Sequence, residues 1–137
     1  MTRFAAVTAA AMVIGLTPAA STAAPLDGST PFVCAGTEIR ECEVGGECPR
    51  RTTNDVNLPG LIRVDAKGKT LAGFGGDTRT APIHAVEQRD GRLIMYGGQE
   101  GRGWTFVVTS ATGRMSASVV DDGFSFVIFG TCAEHKP

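Results

Sequence analysis

From residue 60 to the C-terminus this chain is a succession of short apolar, β-branched and aromatic runs, each closed by a glycine-bearing turn, with no apolar repeat at helical spacing among them. Such a segment has no amphipathic helix to offer a core, and it predicts an antiparallel β meander. Leu61 to Val64 and Thr70 to Phe74 flank Asp65-Ala66-Lys67-Gly68, while Ile83 to Val86 and Leu93 to Tyr96 flank Arg89-Asp90-Gly91. Trp104 to Thr109 passes through Ala111-Thr112-Gly113 into Met115 to Val120, and Asp121-Asp122-Gly123 leads into Phe124 to Cys132. With one further strand at Phe32 to Ala35, the count is about eight, the range of a curled sheet or a small barrel.

Period-two alternation assigns the core. Trp104, Phe106 and Val108 share one face, as do Met115, Ala117 and Val119, and Phe124, Phe126 and Ile128. The opposite face carries Val107, Val120, Val127 and Phe129, too apolar for a solvated surface. The expectation is that the segment from Thr37 to Pro59, which lacks strand alternation, folds across it. The alternative is an interaction face bearing Val127 and Phe129.

Ahead of this segment, Arg3 precedes an apolar run from Phe4 to Leu16, followed by Ser21-Thr22-Ala23-Ala24. A basic start, an apolar stretch too short for a comfortable membrane span and small residues after it predict a signal peptide over 1–24, cleaved after Ala23 or Ala24. The remaining chain is read as one soluble domain without a transmembrane segment, in which 25–59 supplies an N-terminal strand and a cysteine-bearing loop and 60–137 the meander. Its expected location is periplasmic or secreted. The chain's formal net charge is −1, and losing Arg3 makes it more negative, which excludes a nucleic-acid footprint.

An even set of cysteines in an exported chain argues for disulfides. Four cysteines allow three pairings. The favoured one joins Cys42 to Cys48 around a glycine-containing bend and Cys34 to Cys132, first strand to last.

No motif predicts catalysis or a metal. The loop from Gly97 to Gly103 has the glycines of a phosphate cradle, but it joins two strands rather than a strand and a helix. Gly75-Gly76-Asp77-Thr78 lacks the final glycine of an aspartic-protease motif. His84 and His135 are the only histidines. His135 is two residues from the last in the sequence and is expected to be mobile, and His84 shares a strand face with Val86 and Gln88, the setting of a hydrogen-bonded structural residue. A hydrolase using His84 with Asp77 or Glu87 is the one enzymatic exception, since nucleophilic catalysis needs its groups within reach. Cys132 and His135 with Cys42 and Cys48 lack zinc spacing, and Glu38, Glu41, Glu43 and Glu47 lack the spacing of a calcium loop. No cofactor is expected.

The stretches Gly101 to Trp104, Ala111 to Ser118 and Phe129 to Cys132, together with Glu41 to Cys48 and Leu61 to Asp65, resemble a family of small exported bacterial β-domain proteins of uncharacterised function. In general plan, with a signal peptide, about eight strands and a bridge between first and last, the chain is also similar to periplasmic lysozyme-inhibitor barrels. The family likeness transfers no activity; the absence of a catalytic motif is what leads to the expectation of binding rather than catalysis, in an envelope module whose partner is an unknown envelope ligand or protein, acting as monomer or weak dimer. The alternatives are an inhibitor of an envelope hydrolase such as lysozyme and a structural envelope protein. For an anionic ligand the exposed candidates are Arg79 and Arg102, each on a glycine-bearing loop.

Overall fold

A computed structural model describes residues 25–135, and the predicted signal segment lies outside them. The fold is all-β: β1 (Phe32–Glu43), β2 (Arg50–Arg51), β3 (Leu61–Asp65), β4 (Thr70–Gly73), β5 (Thr80–Arg89), β6 (Arg92–Gln99), β7 (Arg102–Thr109), β8 (Arg114–Asp121) and β9 (Phe124–Glu134). Each strand from β3 to β9 pairs antiparallel with the next, and β1 pairs with both β3 and β9, so eight strands close into a barrel. β2 is an extra strand on the free edge of β1, through Ile39↔Arg51 and Arg40↔Arg50. No helix among the described residues is long and apolar enough to cross a membrane.

The turns have the geometry that their residues favour. Asp90 and Gly91, and likewise Glu100 and Gly101, all have positive φ, which gives the two-residue hairpins whose twist matches that of the strands. The Gly97–Gly103 stretch is therefore the end of β6, a tight turn and the start of β7.

Alternation places Phe106, Val108, Met115, Ala117, Phe126 and Ile128 inside, with Trp104, Val119 and Phe124 partly buried against them. Phe32, Leu93, Met95, Val64 and Val108 fill one half of the interior. At that end Leu26 acts as a plug: its amide donates to the Ser110 carbonyl at 2.9 Å, and the Gln88 side-chain amide donates to the Asp27 carbonyl.

The segment 37–59 departs from expectation. Thr37 to Glu43 continue β1, so the first strand ends at Glu43 rather than at Ala35. The cause is closure, because β9 presents a long row of unpaired backbone groups that only an equally long β1 satisfies. Residues 53–59 turn over the other end of the barrel, where Val56 and Leu58 pack against the core. The outside of β7, β8 and β9 is thus not covered by this segment: Val107 and Val127 are half-buried by their neighbours, and Val120 and Phe129 remain exposed.

Both bridges form in the favoured pairing. Cys34 and Cys132 are directly opposed in the β1–β9 ladder, and Cys42–Cys48 closes the bend between β1 and β2. The Cys132 amide donates away from β1, to the Gly113 carbonyl at 2.7 Å. Cys34 and Cys132 are therefore a non-hydrogen-bonded pair, the one in which facing side chains come closest.

Candidate functional site at the open end of the barrel

The half of the barrel opposite Leu26 is not filled. A cavity of about 450 Å³ opens there, with walls supplied by Ile39 of β1, Ile62 of β3, Leu71 of β4, Trp104 and Phe106 of β7, Met115 and Ala117 of β8 and Ile128 of β9. Two inward positions keep it open, Gly36 and Ala117, where the chain has little or no side chain to contribute.

Arg79, at the end of the β4–β5 loop, and Arg102, which opens β7, both stand on the rim of this cavity beside Gln99 and Glu100. Each guanidinium has a carboxylate partner. Arg79 Nη2 lies 2.5 Å from Asp77 Oδ2, and Arg102 Nε donates to Asp121 Oδ2 at 2.7 Å while its guanidinium sits 5.7 Å from the centre of the Phe124 ring. Hydrogen bonds from Arg79, first through its side chain and then through its amide, hold the Asp77 carboxyl below the ordinary aspartate range. Asp121 is lowered by the Arg102 side chain and then by the Asp122 amide. Both arginine side chains are about half exposed, at 46% and 52%, so these pairs are screened and modest in strength. Glu100 offsets part of what positive charge remains on the rim.

Trp104 is the residue that sequence alternation placed in the core without showing its second role. Its ring lies against Gly97, borders the cavity, and carries an Nε1–H that is covered from solvent and meets no hydrogen-bond partner among the described residues.

The remaining candidates are dispersed. His84 is exposed rather than a bonded structural residue, because a bulge between Ile83 and Ala85 takes it out of the ladder and away from the face of Val86. No hydrogen bond or ion pair joins it to Asp77 or Glu87 among the described residues. His135, expected to be mobile, packs edge-on to Phe74 with ring centres 4.9 Å apart. Among the described residues no three histidine, cysteine or acidic side chains gather as a metal set. Val127 and Phe129 lie on the outer wall, opposite Arg40 and Glu38 of β1, which pair with each other at 2.8 Å.

No protein-family model, curated protein or solved structure matches this chain.

Proposed function

We propose that this chain is an exported binding module that takes one small, predominantly apolar molecule into the open end of its barrel. The observation that carries this reading is the unfilled half of the interior. An eight-stranded barrel is just wide enough to be packed by side chains or to hold one small ligand, and this one is packed at one end and open at the other. A volume of about 450 Å³ falls among those of small-molecule sites, and a mostly apolar wall with a few polar groups at the rim is their usual construction. The rim charges are largely paired within the protein, which favours a neutral body over a polyanion; the part of the Arg102 guanidinium not engaged by Asp121 supplies a donor for one polar end.

Trp104, the single tryptophan, borders the cavity and reports its occupancy. Titration with a medium-chain alcohol and with a naphthalene-based fluorescent probe is expected to give saturable, one-to-one changes in its emission. Ala117→Phe, which puts a ring into the cavity, is expected to abolish them in a variant whose thermal melt shows a folded barrel. Absence of saturable binding by the wild type, or unchanged binding in folded Ala117→Phe, overturns the reading.

A further inference from the structure

We propose that residues 52–59 are a hinged lid over one side of the cavity mouth, latched in place by Arg79 through Asn57. The proposal rests on the reading of the cavity as a ligand site, but the lid has its own structural signature.

The segment bonds to itself. Val56 N donates to Thr52 O at 3.4 Å, Asn57 N to Asn54 O at 3.2 Å and Leu58 N to Thr53 O at 2.9 Å. The Thr52 amide and hydroxyl both donate to Asp55 Oδ2 at 2.8 Å, and the Asp55 amide returns a bond to the Thr52 hydroxyl. Among the described residues no backbone hydrogen bond runs from 52–58 to the barrel strands. A unit whose backbone bonds lie within itself, and whose only hydrogen bonds to the β4–β5 loop among the described residues come from the Arg79 side chain, is able to move as one piece.

Its two attachments are slight. On one side stands β2, two residues long; on the other Pro59 leads to Gly60, around which there is open space. Between these points Leu58 and Asn57 line the cavity. Arg79 Nη1 donates to both the carbonyl and the side-chain Oδ1 of Asn57, the latter at 3.0 Å. Asn57 has φ +52, a left-handed conformation that asparagine accepts more readily than most residues. Arg79 is itself anchored: its Nε donates to Asp77 at 3.1 Å, and its carbonyl accepts from Gly73 N at 2.8 Å. The latch is thus one polar, half-exposed side chain joining the β4–β5 loop to the lid, on top of the apolar seating of Val56 and Leu58. Water competes for such a bond, so the lid has a closed state that is favoured without being locked, and ligand entry scales with the fraction open.

The test reads the lid without a ligand first. Acrylamide quenching of Trp104 fluorescence is measured in the wild type, Arg79→Ala, Arg79→Lys and Arg114→Ala, the last an equivalent loss of arginine at the closed end. Arg79→Ala is expected to raise the quenching constant at least twofold, Arg79→Lys to fall between, and Arg114→Ala to match the wild type, with near-ultraviolet circular dichroism confirming a folded barrel in each. With the naphthalene probe, Arg79→Ala is expected to speed association and dissociation together by several-fold. Quenching equal in Arg79→Ala and wild type, or raised as much by Arg114→Ala, overturns the lid. Raised quenching with no probe binding by any variant keeps the lid and removes the cavity's role as a ligand site, so the two failures are distinguishable.

Discussion

The indole of Trp104 occupies the space that a side chain at Gly97 would need. A Cβ built there would stand 2.1 Å from Trp104 Cζ2 and 2.5 Å from the Pro82 carbonyl oxygen, one movable neighbour and one fixed. Gly97→Ala must push the ring into the cavity, at a cost of about 1–3 kcal/mol for overpacking. The expected outcome is a lower melting temperature together with a shift in Trp104 emission. A variant with wild-type stability and emission would show that the ring does not rest on this glycine.

The buried indole N–H of Trp104 makes the same site a test of polar burial. An unpaired donor out of water costs about 1–3 kcal/mol, so Trp104→Phe removes a cost along with its contacts and is expected to be close to neutral. Phe126→Ala, in a packed position, is expected to cost about 3–5 kcal/mol, and Ser125→Ala, on the outward side of the same strand, close to nothing. Chemical denaturation checks all three. Equal losses at Phe126 and Ser125 would place the register of β9 one residue away.

The two bridges differ in reach, with sequence separations of 98 and 6. On chain-entropy grounds, Cys34→Ser/Cys132→Ser should lose about 4–5 kcal/mol and Cys42→Ser/Cys48→Ser about 2 kcal/mol. Denaturation midpoints of the two double variants test the order; the reverse order would mean that the short bridge holds more than its own bend.

Asp77 and Asp121 titrate below the ordinary aspartate value because their charged forms accept hydrogen bonds from Arg79 and Arg102. A lowered folded-state value means that each interaction contributes above the unfolded-state value, about 3.9, and is lost as pH falls through the lowered folded-state value. The contribution of these pairs should therefore be constant near neutrality and decline only in that acid range. Carboxyl-carbon NMR titration is expected to show both midpoints depressed, and Arg79→Ala to return Asp77 towards the ordinary value while leaving Asp121 unmoved. An Asp77 midpoint unchanged by Arg79→Ala would contradict the pairing.

The hairpins, the inward faces of β7 to β9 and the Cys42–Cys48 bridge were legible in the residues because two-fold alternation and glycine turns encode them locally, while the Cys34–Cys132 bridge followed from the even cysteine count and the expectation that the first strand meets the last. Of β1 only the start, Phe32 to Ala35, was legible, and the reason that its continuation to Glu43 was not is visible in the register. Phe32 and Cys34 point inward, a bulge between Gly36 and Glu38 adds a residue, and Ile39 is inward again on the other parity. Alternation read along the sequence breaks at that point although the strand continues. The same effect at Ile83/Ala85 separated His84 from its apparent face. A meander sends alternate turns to the same end, so the common location of the β4–β5 and β6–β7 loops, and with them Arg79 and Arg102, is a result of strand order alone. The cavity is not, since an interior is empty or full according to how side chains from many strands meet across it.

The direct opposition of Cys34 and Cys132 has a consequence in time as well as in strength. The seam it crosses is the most distant in sequence, and pairings between distant segments are the slowest to form because the intervening chain must first be drawn together. The ladders from β3 to β9 can zip between neighbours as the chain emerges, but this one waits for the last strand. An oxidant that reaches the chain after β9 has docked therefore records completion of the fold as a covalent bond, and a molecule truncated before Cys132 has no means of acquiring that mark.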